Sequence, residues 1–365
     1  MLVALVSSVL ECGVAEHSDM LKTAVRTADS SIEFVTDGAW LDPQQFSGTF
    51  PDGRGFDAVR GGLTHTRFDA ALEHAGYQGH QHGLPVLRGD LVHLNYHRGL
   101  HSRWTPEVIA SYGPTPFVIT FHDTFETQPD DLAFRLLDTF NVRGMVVHEP
   151  CDLVSHPKVH YWRQPCPPPL GRGWPADIPK VFTAHGWRPT LGTLGWDFPW
   201  KNYDLLADVT AERGWNLRIV GKVDGDRRKA LAARNPNIWF DGYVETPDAI
   251  AKLSACDATA FLYTCANSGT SGAIRQGITA GKPLIAATGC RQFRDLEGTA
   301  EGWPIRWIAP NADALAMTLD TGEYGYSFAL IGLAQDLSWE KVGPQYAKLY
   351  RDAVADAARN ARRLP

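Results

Sequence analysis

The 365 residues carry 44% hydrophobic and 21% charged side chains, the profile of a soluble globular chain that is long for one core and suits two domains of ordinary size. A net charge of -6 excludes an overall electrostatic pull toward nucleic acid or anionic lipid, although it is compatible with a local basic patch. No apolar run approaches the roughly 18 to 20 residues that span a bilayer, and six scattered cysteines without a CxxC pair suggest neither a zinc site nor a disulfide framework. A reduced, cytoplasmic protein is expected.

Met1 to Leu10 lacks the basic segment and small-residue cleavage site of a leader and reads as a first core strand. Glu11, Cys12 and Gly13 follow, then VAEHSDMLKTAVRTA as an amphipathic helix. Strand, glycine turn and helix are how a nucleotide-binding α/β domain begins. SIEFVT (31–36) is the next strand, and 38–62, with its Pro and Gly pairs, reads as a long loop. That loop holds Phe50, Arg54, Phe56 and Arg60, either a solvated loop with anchoring aromatics or a contact surface for an acceptor. A helix is expected at 67–76. Buried strands follow at 90–96 (DLVHLNY), 116–121 (PFVITF) and 144–148 (GMVVH), the last ending on His148 and Glu149. PFVITF runs into His122, Asp123 and Thr124, and a His just past the carboxyl end of a parallel strand lies where open α/β sheets place ligands. A structural histidine also fits that position.

Residues 164–179 carry six prolines and two glycines and mark the best domain boundary. A second alternation then starts: short strands at VFTAHG and TLGTLG, a helix over 200–214, a strand NLRIVGK, a helix near 226–235, a strand NIWFDGY and a helix from Pro247 to Ala255. The stretch Phe261 to Ala287 repeats strand, loop, helix and strand. Its Ser268, Gly269, Thr270, Ser271 and Gly272 sit where the helix opens, and free amides beside small hydroxylated residues can hold an anion; a capped turn is the plainer reading. Arg218 and Lys222, flanking a strand end, are secondary candidates for phosphate contact, with Arg218 better read on a solvated face. Asp224-Gly225-Asp226 reads as a helix cap rather than a metal motif. A long helix ends the chain, its Arg359, Arg362 and Arg363 forming a basic tail.

These pieces together resemble a retaining GT-B glycosyltransferase of glycosyltransferase family 4, over nearly the whole chain. ECGVAEHSDML is similar to the CGIAEY-type first loop and helix of one branch, DLVHLNYHRGL to the second N-domain signature, and VITFHDT to the VVTFHD strand with its histidine. LGTLGWDFPWKN resembles the strand, loop and lysine that open the C-terminal domain, FDGYVETPDAIAKLSACDATAFLY the approach to the donor site, SGTSGAIRQGITAGKPLIAATG the donor site itself, and SWEKVGPQYAKLY the closing helix.

The resemblance implies an α/β protein of two Rossmann-like domains facing across a cleft. An acceptor domain would span 1–170, a nucleotide-sugar donor domain 180–336, and a helix over 337–365 would return to the first domain. It implies a nucleoside diphosphate sugar donor, a UDP-sugar foremost, with no cofactor and no metal. Lys201 falls on the diphosphate-binding lysine, His122 on the active-site histidine near the donor sugar and Gly13 on the first-loop glycine whose backbone approaches the donor phosphate or the acceptor; Ser271, Gly272 and Ala273 fall on the helix start that meets the donor, with Asn267, Gly269 and Thr270 in its loop. Read without the resemblance, Lys201 is an exposed first-turn lysine. The family's two glutamates, eight positions apart, are replaced by Ser268 and Gln276; Gln276 can still bond ribose hydroxyls, and Ser268 is shorter and neutral. Arg54, Arg60 and Asp123 are the acceptor-side candidates, and the acceptor is a glycan, a lipid-linked species or a small molecule. A hydroxymethylated base in phage DNA is the alternative acceptor, with Arg54, Arg60, Arg67, Phe50 and Phe56 lining a groove. A sugar-nucleotide sensor without turnover is the alternative outside catalysis.

Overall fold

Two six-stranded sheets, every strand parallel to its neighbours, form the frame of the computed structural model, which describes residues 1–7, 13–37, 89–97, 104–122, 132–151, 155–169, 188–264, 269–297, 304–322 and 327–361. The expected loop at 38–62, helix at 67–76 and strand at 181–186 lie outside these residues. The chain divides into two compact units, Met1–Arg163 with Trp339–Pro365, and Gln164–Ser338.

In the first unit β1 (Leu2–Val6), β2 (Glu33–Asp37), β3 (Leu91–Tyr96), β4 (Phe117–Phe121), β5 (Val142–Val147) and β6 (Val159–Tyr161) are ordered 2-1-3-4-5-6. Every residue of β3 and β4 is buried, as expected of strands covered on both faces. Helix α1 (Gly13–Ala28) follows β1, α2 (Pro106–Ser111) precedes β4 and α3 (Leu132–Asp138) precedes β5. Thr105 caps α2, its hydroxyl accepting from the Val108 amide, and Pro106 opens the helix.

In the second unit β7 (Thr190–Leu194), β8 (Asn216–Val220), β9 (Ile238–Gly242), β10 (Ala258–Phe261), β11 (Leu284–Ala287) and β12 (Ile305–Ile308) are ordered 12-11-10-7-8-9. Between them run α4 (Tyr203–Glu212), α5 (Gly225–Arg234), α6 (Thr246–Ser254) and α7 (Gly272–Thr279), with α8 (Ala312–Thr321) and α9 (Phe328–Asp336) after β12. Helix α10 (Trp339–Ala361) closes the chain and packs in the first unit, with Trp339, Val342, Tyr346, Leu349 and Tyr350 in its core. Among the described residues no helix is long and apolar enough to cross a membrane.

Three local expectations change. The helix expected over 200–214 begins only at Tyr203, because Pro199–Lys201 form a single 3-10 turn and Asn202 takes a left-handed conformation (φ 55°). Asp224 occupies the N-cap of α5, yet its side chain makes no capping hydrogen bond. Arg218 is engaged rather than solvated: it makes a two-pronged ion pair with Asp241 on β9 (2.7 and 3.1 Å), which Lys252 joins at 2.8 Å. That pairing removes Arg218 from the phosphate-contact candidates.

Candidate functional site

In doubly wound sheets ligands gather at the carboxyl edge, where the strand order reverses. The second unit reverses between β7 and β10, and the first between β1 and β3. At each of these points the chain places a polar cluster.

In the second unit the cluster centres on Lys201, which is 7% exposed. The chain leaves β7 through Gly195 (φ 130°), turns at Pro199–Lys201 and brings the lysine back over the strand end. Its Nζ lies 3.4 Å from the Leu194 carbonyl and 5.2 Å from the centre of the Tyr263 ring, just past β10. Tyr263 donates its hydroxyl to the same Leu194 carbonyl (3.1 Å), and Tyr203 donates to the Gly195 carbonyl (3.0 Å). A side chain at Gly195 would collide with the ammonium, since a Cβ there would stand 1.7 Å from Nζ. Burial lowers the Lys201 pKa to about 7, against the opposing charge of Asp197. Asp197 is itself held by Arg227 at 3.3 Å, and burial raises its carboxyl pKa.

Ser271, at the start of α7, acts on Tyr263 against the burial that raises its phenol pKa. Ser271 is the N-cap of α7 and makes no side-chain capping bond; Gly272 and Ala273 form the first turn, whose amides have no partner within the helix. Gly269 and Thr270 lead into it, half-buried. Gln276 is buried one turn on, with Nε2 at 3.5 Å from Thr246 Oγ1 at the start of α6. Lys201, Ser271, Gly272, Ala273 and Gln276 thus belong to one edge of one unit. Asn267 and Ser268 lie outside the described residues, as do Arg54, Arg60 and Asp123.

In the first unit His122 sits immediately after β4, its amide bonded to the Tyr96 carbonyl (2.9 Å). Gly13 is the first residue of α1. Around His122 stand two residues that sequence reasoning passed over, His17 of α1 and Asn95 of β3, together with His148 after β5. The His17 ring is 4.6 Å from that of His122, 5.3 Å from that of His148 and 4.9 Å from Trp339. Burial, reinforced by the positive charge that His148 and His93 can carry, holds the His17 pKa well below its ordinary value. The available signal was periodicity: Val14, His17, Ser18 and Leu21 share the buried face of α1. Asn95 was signalled by being polar in an otherwise fully buried strand, where it needs partners.

Among the described residues no group of three or more His, Cys, Asp or Glu side chains is arranged to hold a metal ion. The sites can instead supply an ammonium with helix amides in one unit, and a set of imidazoles in the other, of which burial keeps His17 neutral.

No protein-family model and no curated protein matches this chain. Solved structures do. Sucrose-phosphate synthase from Thermosynechococcus elongatus aligns with a TM-score of 0.63 at 16% identity, over 98% of this chain and 100% of its own. HepE of Anabaena, solved in complex with UDP, aligns at 0.60 and 14% over 96% and 99%. AviGT4, a glycosyltransferase involved in avilamycin A biosynthesis, aligns at 0.56 and 14% over 97% and 98%. At these identities the likeness is one of fold, and the fold is the GT-B arrangement that the sequence led us to expect.

Proposed function

We propose that the chain is a glycosyltransferase that takes a nucleoside diphosphate sugar, a UDP-sugar foremost, and transfers its glycosyl group with retention to an acceptor hydroxyl. The observation that carries this reading is the cluster at the β7/β10 edge, where a buried ammonium and the open start of α7 both lie beside Tyr263. Support also comes from HepE, which has been solved with UDP and with UDP-glucose.

In this mechanism the second unit holds the donor and the first the acceptor. Lys201 and the amides at 271–273 stabilise the charge that develops on the departing diphosphate, in surroundings where a fixed charge acts more strongly than in water. The bond from the anomeric carbon to the diphosphate oxygen breaks as the acceptor hydroxyl attacks from the same face, and the hydroxyl proton passes to the departing phosphate oxygen. Gln276 holds the ribose and His122 contacts the transferred sugar. Ser268 and Asn267 handle the sugar where the family of resemblance, glycosyltransferase family 4, places a glutamate. A metal has no required role, because Lys201 and the helix start neutralise the diphosphate. Arg54, Arg60 and Asp123 are the proposed acceptor-binding residues, the acceptor being a glycan, lipid-linked or small-molecule hydroxyl, and the reaction is cytoplasmic.

The test is thermal stability against UDP-, GDP- and ADP-sugars for the wild type and Lys201→Ala, with diphosphate release followed in the same samples. A ligand at about 100 times its dissociation constant adds roughly 2.7 kcal/mol. Stabilisation by one donor, lost in the variant and accompanied by release, is the expected result. Stabilisation without release in the presence of acceptors would point to a sensor, and no response to any nucleotide would remove the donor site.

A further inference from the structure

We propose that Arg227, anchored by Asp204, is a positioning residue that holds the Asp197 carboxylate away from Lys201 and so leaves that buried ammonium without a protein counterion, for a diphosphate to supply. The diphosphate rests on the transferase reading; the charge arrangement does not.

Four charged side chains of alternating sign stand in the second unit, on the loop after β7 and on the two helices that follow. Lys201 and Asp197 belong to that loop, Asp204 to α4 and Arg227 to α5. Arg227 grips Asp204 with both ends of its fork, Nη1 to Oδ1 at 2.9 Å and Nη2 to Oδ2 at 2.7 Å. Arg234, further along α5, holds the same carboxylate through Nε at 3.0 Å. A two-pronged grip fixes the plane of the guanidinium, and with it the direction of the remaining Nε–H. That hydrogen faces Asp197, whose Oδ2 and Oδ1 lie 3.3 and 3.5 Å from Nε. The ammonium of a lysine lacks the second edge that this geometry uses.

Lys201 is the other cation that feels Asp197, yet no ion pair joins the two. Among the described residues its Nζ meets the Leu194 carbonyl at 3.4 Å and the Tyr263 ring at 5.2 Å, and pairs with no carboxylate. Tyr203 and Tyr263, the other titratable groups of the cluster, donate their hydroxyls to backbone carbonyls and are kept uncharged by burial. Asp224 adds negative charge around Asp197. The Asp197 side chain is only 14% exposed, so its carboxylate needs a partner, and of the two cations on offer the fork takes it. The pKa of Lys201 therefore stays at about 7, because burial is opposed by a carboxylate acting from a distance. In contact, Asp197 would keep the lysine protonated and set a negative charge where phosphate oxygens are to go. Arg227 prevents both, and an arriving diphosphate meets an ammonium whose desolvation is not yet offset.

The experiment is a pH titration of the full chain labelled at its lysine ε-carbons, followed by carbon NMR, with Lys201 assigned through Lys201→Met. The wild type is expected to show Lys201 titrating near 7. Arg227→Met releases Asp197 and is expected to raise that midpoint by about one pH unit, a tenfold change in the protonation equilibrium. Combining Arg227→Met with Asp197→Asn removes the released carboxylate as well, and is expected to return the midpoint to the wild-type value or below it. Thermal melts check that each variant is folded; Arg227→Gln, which can still bond to Asp204, carries the same expectation if Arg227→Met does not fold. Calorimetry is expected to show UDP binding about tenfold weaker in Arg227→Met, the scale of one hydrogen bond to a charged group, with recovery in the double variant. A wild-type midpoint in the ordinary lysine range would overturn the assignment. So would a midpoint unchanged in the folded Arg227 variants, or one raised equally in the double variant, since Asp197 would then not be the group released. A raised midpoint with unchanged UDP affinity would overturn the role toward the diphosphate. A wild type with the low midpoint that binds no UDP would defeat the transferase reading instead.

Discussion

Lys201 is a cation held where charge is penalised, and two predictions follow from the sign of that penalty. Its pKa is about 7 in the folded chain against 10.5 for an ordinary lysine, chiefly through burial. Between those values the unfolded chain binds more protons than the folded one, so stability rises with pH across the window, and the penalty is complete below about pH 7. Lys201→Met keeps the bulk of the side chain and removes the charge. It is expected to stabilise the unliganded protein at low pH, by a ceiling on the order of 5 kcal/mol, with the gain fading toward pH 10. Urea melts at the two extremes check it; an equal effect at both would mean that Lys201 is not charged at a cost. The second prediction concerns ligand. An anionic diphosphate restores the ammonium, so UDP binding near pH 8 is expected to take up close to one proton, read by calorimetry in two buffers of different ionisation enthalpy. Gly195 sets the geometry of both effects. Gly195→Ala forces a Cβ onto the ammonium at a backbone angle that side chains rarely adopt, and is expected to lower both stability and UDP affinity.

At the scale of elements, α7 depends on an ion pair that holds its underside. Arg275 on α7 and Asp295, after the turn at Arg291–Phe293, are paired at 1% and 0% exposure. Removing one partner of such a pair strands a buried charge, so Asp295→Ala is expected to cost about 3 to 5 kcal/mol, measured by denaturant unfolding. Replacing both by apolar residues is expected to recover most of that, and failure of the double variant to recover would show that the pair does more than neutralise itself. This pair was not legible in the sequence. Arg275 reads there as an ordinary helical position, because its burial depends on a partner 20 residues on, which no local period encodes. The strands were legible for the opposite reason. LVALV, FVITF and LIAA are apolar on both faces because helices cover both, and that pattern is local. Short edge strands with polar positions, VHY and IRWI, carry too little of it to be recognised. The Lys201 position was legible only through resemblance, since a lysine after a proline turn looks solvent-facing until the left-handed Asn202 folds it inward. His17 was marked by its place on the buried face of α1, and Asn95 by residue type, a polar side chain in an otherwise buried strand.

At the scale of the whole molecule, the chain path makes the two units unequal. The second is contiguous, Gln164–Ser338, and the first borrows α10 from beyond it. The borrowed helix is tied in by more than apolar packing. Tyr350 bonds to His93 on β3, and Tyr346 lies 2.8 Å from Thr120 on β4, which in turn is 2.9 Å from the other nitrogen of His93. Burial holds the His93 pKa near 3, so this network is built from neutral groups, and losing the helix would leave them without partners in the core. Gly343 brings α10 against the α1 backbone, where a Cβ would stand 2.6 Å from the Ala24 carbonyl, so the fit between these helices is also steric. Cutting the chain after Ser338 is therefore expected to unfold the first unit and spare the second. The residues proposed to hold the diphosphate all lie in the contiguous unit, over a core that includes Leu191, Leu206, Ile219, Phe261, Ile278 and Phe293. A fragment of 164–338 is expected to unfold cooperatively and to retain UDP binding, while 1–163 alone is expected to lack a melting transition. Circular dichroism melts and calorimetry with UDP on the two fragments decide it. A folded 164–338 that does not bind UDP, beside a full chain that does, would move part of the diphosphate site into the first unit. An unfolded 164–338 would mean that its core, although contiguous in sequence, is completed by the rest of the chain.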